Sequence, residues 1–142
     1  MKAKKLLVVL SNGNIRLLAD MVRQSFALTI RMLIQAFMQA KHADFPWDVV
    51  LSTELFSSYK PNEKVYKAAM HHLSLQPSKV AMVAAHIFDL RGAARCGMKT
   101  IYVRRASEDA DAARDVKSKD EGGEFDIVVD DLVELAGMLD PK

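Results

Sequence analysis

The sequence predicts an α/β protein built on a mostly parallel sheet, on two observations. Short, continuous apolar runs recur along the chain, and each leads into a stretch whose apolar residues fall at helical spacing. Runs that do not alternate with polar residues suit strands buried on both faces, which is the environment of a parallel sheet between helix layers.

The elements follow in order. The first run, 6–10, leads into Ile15, Leu17, Leu18, Met21 and Val22, which share one helix face. Val49-Val50-Leu51 leads through a polar loop to a helix predicted over 62–73. The run 80–83 precedes a helix over 90–95, with Gly97 placed to end it in the left-handed conformation. Residues 100–103 are β-branched and aromatic, and an acidic, alanine-rich helix is expected over 108–116. Ile127-Val128-Val129 then enters Asp130-Asp131, good helix-start residues, before a helix over 132–139. Between the last two strands, SKDEGGEFD reads as a flexible polar loop.

Composition bounds the function. The 142 residues suit one domain (1–142) with a substantial core. Net charge is +2, without a basic run beyond MKAKK, so nucleic acid is not an expected partner. The lone Cys96 cannot form an internal disulfide, which points to a reducing, cytoplasmic setting. The basic start and short apolar run of MKAKKLLVVL read as a buried strand, because the run is too short for a secretory signal. The segment 24–40, QSFALTIRMLIQAFMQA, is apolar on all sides with Arg31 as its only charge. It is short and interrupted for a membrane span, so an extra apolar helix in the core or at a homodimer contact is expected, and no membrane association.

Three polar clusters follow three strands, where ligands bind in parallel sheets. Ser11-Asn12-Gly13-Asn14 reads either as an anion-holding turn or as a plain turn with Ser11 or Asn14 capping the next helix. Lys60 precedes Pro61, which suits a first helical turn, and would serve as a fixed positive charge or as a solvated lysine. Tyr66 is expected to pack its ring with its hydroxyl in solvent. Asp89 follows an apolar strand, where an uncompensated carboxylate is costly, so it either caps the helix or faces a site. His86 reads as a structural histidine or a polar site group. His42, His71 and His72 show no metal-like pairing, and Glu108, Asp109, Asp111 and Asp115 read as a solvated helix face.

Taken together, LSNGN, YKPNEKVY and VAAHIFDLRGAARCGMKTIYVRR, in this order and each at a strand's carboxyl end, resemble the haloacid dehalogenase superfamily, L-2-haloacid branch. The final FDIVVDDLVELAGML extends the likeness. The resemblance implies a Rossmann-like three-layer core. It also implies hydrolysis of a small 2-haloacid through an ester on a nucleophilic aspartate, a form of covalent catalysis that needs no cofactor. On matching positions, Ser11 corresponds to the second-motif hydroxyl and Asn12 to its substrate- and halide-binding neighbour. Lys60 corresponds to the lysine that keeps the nucleophile ionised, Tyr66 to a tyrosine beside it, and Asp89 to the fourth-motif acid.

The sequence also departs from the pattern. Ala84 and His86 stand where dehalogenases carry serine and asparagine, and His86 is expected to act as a polar partner in the amide's place. No strand ending in an aspartate precedes Ser11, and Asp20 is the first aspartate in the sequence. The family's first strand, which lies between those bearing Ser11 and Asp89, and its cap domain are not found here. Their loss would leave two interior sheet edges. The expectation is therefore a part of a hydrolase, inactive alone, with no nucleophile and no metal site of its own. The apolar segment 24–40 is read either as a real helix or as an extra coding segment. Two alternatives stand beside this: a non-catalytic scaffold or interaction relic, and a fragment of a magnesium-dependent phosphatase of the same superfamily.

Overall fold

In a computed structural model of the protein, residues 5–18, 47–105, 108 and 115–139 are described. The expected apolar helix at 24–40 and His42 lie outside them, as do Asp109 and Asp111. The chain divides into two units, Met1–Tyr59 and Lys60–Lys142.

In the first unit, β1 (Val8–Ser11) pairs in parallel with β2 (Val49–Ser52), in the register Val8 with Val49 through Ser11 with Ser52. The pair is fastened at its start by Asp48. Its amide donates to the Leu7 carbonyl at 2.9 Å, and its carboxylate accepts from the Leu7 amide at 3.0 Å. β2 runs into a 3-10 turn, Thr53–Phe56, where buried Ser52 accepts the Glu54 amide and so caps the turn.

In the second unit, β3 (Ala81–Ala84), β4 (Lys99–Val103) and β5 (Ile127–Val129) form a parallel sheet in that order. Parallel neighbours need a crossover, and α2 (Ile87–Arg95) supplies the one between β3 and β4. α1 (Glu63–His72) packs against α2, and α3 (Leu132–Leu139) closes on β5. The core includes Val65, Tyr66, Leu90, Tyr102 and Phe125, with a cluster of Ile101, Val103, Val129 and Leu135 under α3. Among the described residues β1 pairs only with β2 and β3 only with β4, so each is an edge strand of its own sheet.

The helix ends follow local chemistry. Asn62 accepts the Lys64 amide at 2.9 Å to start α1, and Glu63 in the first turn and His71 and His72 in the last suit the helix dipole. Asp131 accepts the amides of Val133 and Glu134 at 2.8 Å each, which starts α3. Gly97, at φ +81°, takes the left-handed position just after α2.

Two expectations need correction. α2 begins at Ile87, three residues before the apolar pattern suggested, and the capping position belongs to His86, not Asp89. SKDEGGEFD, expected as a flexible polar loop, holds a 3-10 turn over Lys119–Glu121. Ser118 and Glu121 form a reciprocal capping box, Ser118 bridges to Phe125, and Phe125 is only 1% exposed. The helix expected over 108–116 falls mostly on residues outside the described ones; of its ends, Glu108 is in a bend, Asp115 in a turn and Val116 is non-helical.

Candidate active site

The first unit places Ser11 and Asn12 at the carboxyl end of β1. Ser11 Oγ accepts the Gly13 amide at 3.0 Å, and Asn12 Oδ1 accepts the Thr53 hydroxyl at 3.3 Å. Ser52 donates to the Gly13 carbonyl at 2.7 Å, tying the turn to β2. Asn14, not Ser11, caps the helical turn at 15–18 by accepting the Leu17 amide at 2.7 Å. The Ile15 amide donates to the Glu54 carboxylate at 2.8 Å, so an internal anion already occupies that helix start. The amide of Ile15 is thus not a vacant anion seat.

The second unit brings Lys60, Tyr66 and Asp89 together. Asp89 lies in the first turn of α2 and is 4% exposed. Lys60 Nζ meets its Oδ2 at 2.6 Å, and the two side chains are 13% and 5% exposed. Tyr66, with no exposed surface, donates its hydroxyl to Asp89 Oδ1 at 2.5 Å and lies 3.1 Å from the Asp89 carbonyl. Burial, reinforced by the neighbouring Asp89 carboxylate, pushes the Tyr66 phenol well above its ordinary range. This corrects two expectations: Lys60 is not a solvated lysine, and the Tyr66 hydroxyl does not reach solvent.

Gly92 makes this packing possible. A Cβ there would lie 2.8 Å from the Tyr66 hydroxyl oxygen and 3.1 Å from Pro61 Cβ. The signal in the sequence was a glycine inside a helical pattern, which marks either a helix end or a close approach.

His86, at the head of α2, stacks on Phe88 with centroids 5.2 Å apart, and its Nε2 lies 3.5 Å from Glu108 Oε2. Glu108 is 17% exposed on its side chain and also faces Arg105 at 3.5 Å. Glu108 is not on a solvated face as expected: its carboxylate lies against the imidazole. Cys96 is a buried free thiol, and burial raises its pKa, which disfavours the nucleophilic thiolate form.

An open cleft of about 540 Å³ runs along Ile87 and Arg91 of α2 and the segments 115–117 and 122–124. It shares no residue with the Lys60–Tyr66–Asp89 cluster. Among the described residues no group of three or more His, Cys, Asp or Glu side chains is placed to hold a metal ion. In this arrangement an ammonium and a phenol engage the two oxygens of Asp89. Among the described residues no helix is long and apolar enough to cross a membrane.

A family model described as haloacid dehalogenase-like hydrolase matches residues 20–103, a span that contains Lys60, Tyr66, His86 and Asp89. The chain belongs to that family. Haloacid dehalogenase-like sequences with curated names give the same direction. The chain is 32% identical over 73 residues to (S)-2-haloacid dehalogenase 4A of Burkholderia cepacia, a match covering 51% of this chain and 32% of that protein. It is 29% identical over 100 residues to (S)-2-haloacid dehalogenase 1 of Pseudomonas sp. (strain CBS-3), covering 70% and 37%.

Solved dehalogenases share the fold. A crystal structure of an L-2-haloacid dehalogenase superposes with a TM-score of 0.67 at 33% identity, over 94% of this chain and 50% of that one. A defluorinating L-2-haloacid dehalogenase gives 0.66 at 28% identity, over 97% and 48%. The haloacid dehalogenase-like chain thus spans about a third of its curated relatives and about half of its solved ones.

Proposed function

We propose that this chain carries part of the active site of a hydrolytic 2-haloacid dehalogenase. The observation that carries the reading is the buried Lys60–Asp89–Tyr66 cluster at the start of α2, in a chain whose relatives bear that name. In this reading Lys60 holds a fixed positive charge that keeps a nucleophilic aspartate ionised, and Asp89, itself held by Tyr66, fixes the ammonium in place. Ser11 and Asn12 bind the substrate carboxylate and the departing halide. The substrate is a small (S)-2-haloacid, the reaction passes through an aspartyl ester, and no metal takes part. The setting is cytoplasmic.

These 142 residues by themselves do not turn over in this reading, because the aspartate comes from elsewhere. Removing the nucleophile from even a well-built hydrolase triad leaves only ~10³–10⁴-fold catalysis over water. The test compares halide release from (S)- and (R)-2-chloropropionate. The 142-residue chain is expected to release none. The chain joined to a first strand bearing a nucleophilic aspartate and a cap domain, both taken from a solved L-2-haloacid dehalogenase, is expected to release halide from the (S) form. Sustained release by the 142-residue chain would overturn the requirement for an external aspartate. Phosphate release with magnesium, and no halide release from the longer polypeptide, would replace the dehalogenase reading with the phosphatase one.

A further inference from the structure

His86 sits between β3 and α2, three positions ahead of Asp89, and its ring is restrained on two sides. Phe88 stacks against its face with 24° between the planes. Glu108 approaches its edge, with Oε2 3.5 Å from Nε2. The other oxygen of Glu108, Oε1, lies 3.5 Å from Arg105 Nη1, and the Glu108 amide donates to the Arg105 carbonyl at 3.1 Å.

We propose that Glu108 is a positioning residue that fixes His86 in the Nε2–H tautomer, leaving Nδ1 as the proton-accepting atom of the ring. A neutral imidazole carries one ring proton, and the partner of one nitrogen decides where it resides. A carboxylate beside Nε2 can only accept, so the proton is favoured there. Arg105 anchors the far oxygen of that carboxylate and offsets its charge. Glu108 therefore acts on the orientation and tautomer of the ring. At 3.5 Å the contact is a charge–dipole one, longer than a normal N–H···O bond, and it acts through the field of the carboxylate on the ring edge.

The use of such a ring rests on the hydrolase reading above. When the ester intermediate is hydrolysed, a water O–H bond breaks and its proton moves to Nδ1 while the oxygen bonds to the ester carbonyl carbon. Collapse then breaks the bond from that carbon to the substrate oxygen. The departing alkoxide takes the proton from the imidazolium, and the regenerated aspartic acid loses its own proton to solvent. The products are a 2-hydroxy acid and the restored carboxylate.

The test uses ring ¹⁵N–¹H correlation spectra of the 142-residue chain at a pH where the imidazoles are neutral. No substrate is needed, so a dehalogenase reading that failed on halide release would leave this result standing, and the reverse. His86 is expected as the Nε2–H tautomer. Glu108→Ala is expected to convert it to a mixture of both tautomers, and Glu108→Gln, which keeps an acceptor oxygen without the charge, to restore it. His71 and His72 serve as internal references that do not change. A mixed or Nδ1–H His86 in the unaltered chain, or an unchanged Nε2–H form in Glu108→Ala, would overturn the proposal.

Discussion

Tyr66, without exposed surface, donates its hydroxyl hydrogen to Oδ1 of Asp89, so a helix-interior phenol and a first-turn carboxylate are joined inside the second unit. Asp89 is nearly inaccessible to water, and what keeps a carboxylate there is the sum of its donors. Tyr66→Phe removes one while keeping the ring that fills the space. Hydrogen bonds to charged groups contribute about 1.5–3 kcal/mol, and a loss of that size is the expected outcome. Urea unfolding of the two proteins, with unchanged dependence on denaturant, checks it; equal midpoints would show that the phenol contributes nothing to holding Asp89.

Lys60 is the other donor, and its removal is more severe. Breaking a buried ion pair by deleting one partner costs about 3–5 kcal/mol, because the remaining charge stays buried without its counter-ion. Lys60→Met is expected in that range. Asp89→Leu added to Lys60→Met removes the stranded carboxylate, while the Asp89 carbonyl, 3.1 Å from the Tyr66 hydroxyl, still receives it. The double variant should therefore be more stable than Lys60→Met alone. A double variant less stable than the single one would show that the pair contributes by packing and not by charge.

The parts of this site differed in how plainly the sequence declared them. Asp130-Asp131 announced a helix start because capping depends on a few adjacent residues, and Asp131 caps α3. Asp89 after an apolar strand signalled a carboxylate in need of compensation, but its partners lie 23 and 29 residues away and depend on how α1 meets α2. The start of α2 was hidden because Ile87 and Phe88 extend the apolar run of β3. Phe125 lies among glycines and charges, and its burial follows from the turn at 118–122, whose reciprocal capping is a three-dimensional fact. Glu108 was illegible for a similar reason: an acidic, alanine-rich stretch has the composition of a solvated helix, and nothing local records which carboxylate turns towards His86.

Asp126 gives the protein a predictable acid sensitivity. Burial disfavours its ionised form, but Lys119 at 2.9 Å and the Thr100 amide and hydroxyl at 2.9 and 3.0 Å more than offset this, holding its carboxyl well below the usual range. A carboxylate depressed on folding contributes stability that is present above the unfolded pKa of about 3.9 and lost as pH falls towards the folded value. The protein should therefore lose stability as pH drops below about 4. Asp126→Asn, which cannot ionise, should be less stable at neutral pH and show a shallower loss on acidification. Parallel pH profiles of the two proteins, by urea unfolding, would assign the acid sensitivity to other groups.

Gly92 and Tyr66 share one small space, and their coupling is measurable. In Gly92→Ala the new Cβ would stand 2.8 Å from the Tyr66 oxygen and 2.9 Å from its Cε2, separations that demand movement. Tyr66 is tied to Asp89 and enclosed, so it cannot swing aside without losing that bond. Overpacking a filled core costs about 1–3 kcal/mol, and Gly92→Ala should add the loss of the Tyr66–Asp89 hydrogen bond to that. Once Tyr66→Phe has removed the hydroxyl, the nearest of these clashes and the bond at risk are both gone, while the ring carbon contact remains. The double variant should then be less destabilised than the sum of the two single variants, by about 0.5–3 kcal/mol. Strict additivity in a double-mutant cycle would mean that the helix accommodates the methyl group by shifting away from α1, leaving the bond between Tyr66 and Asp89 intact.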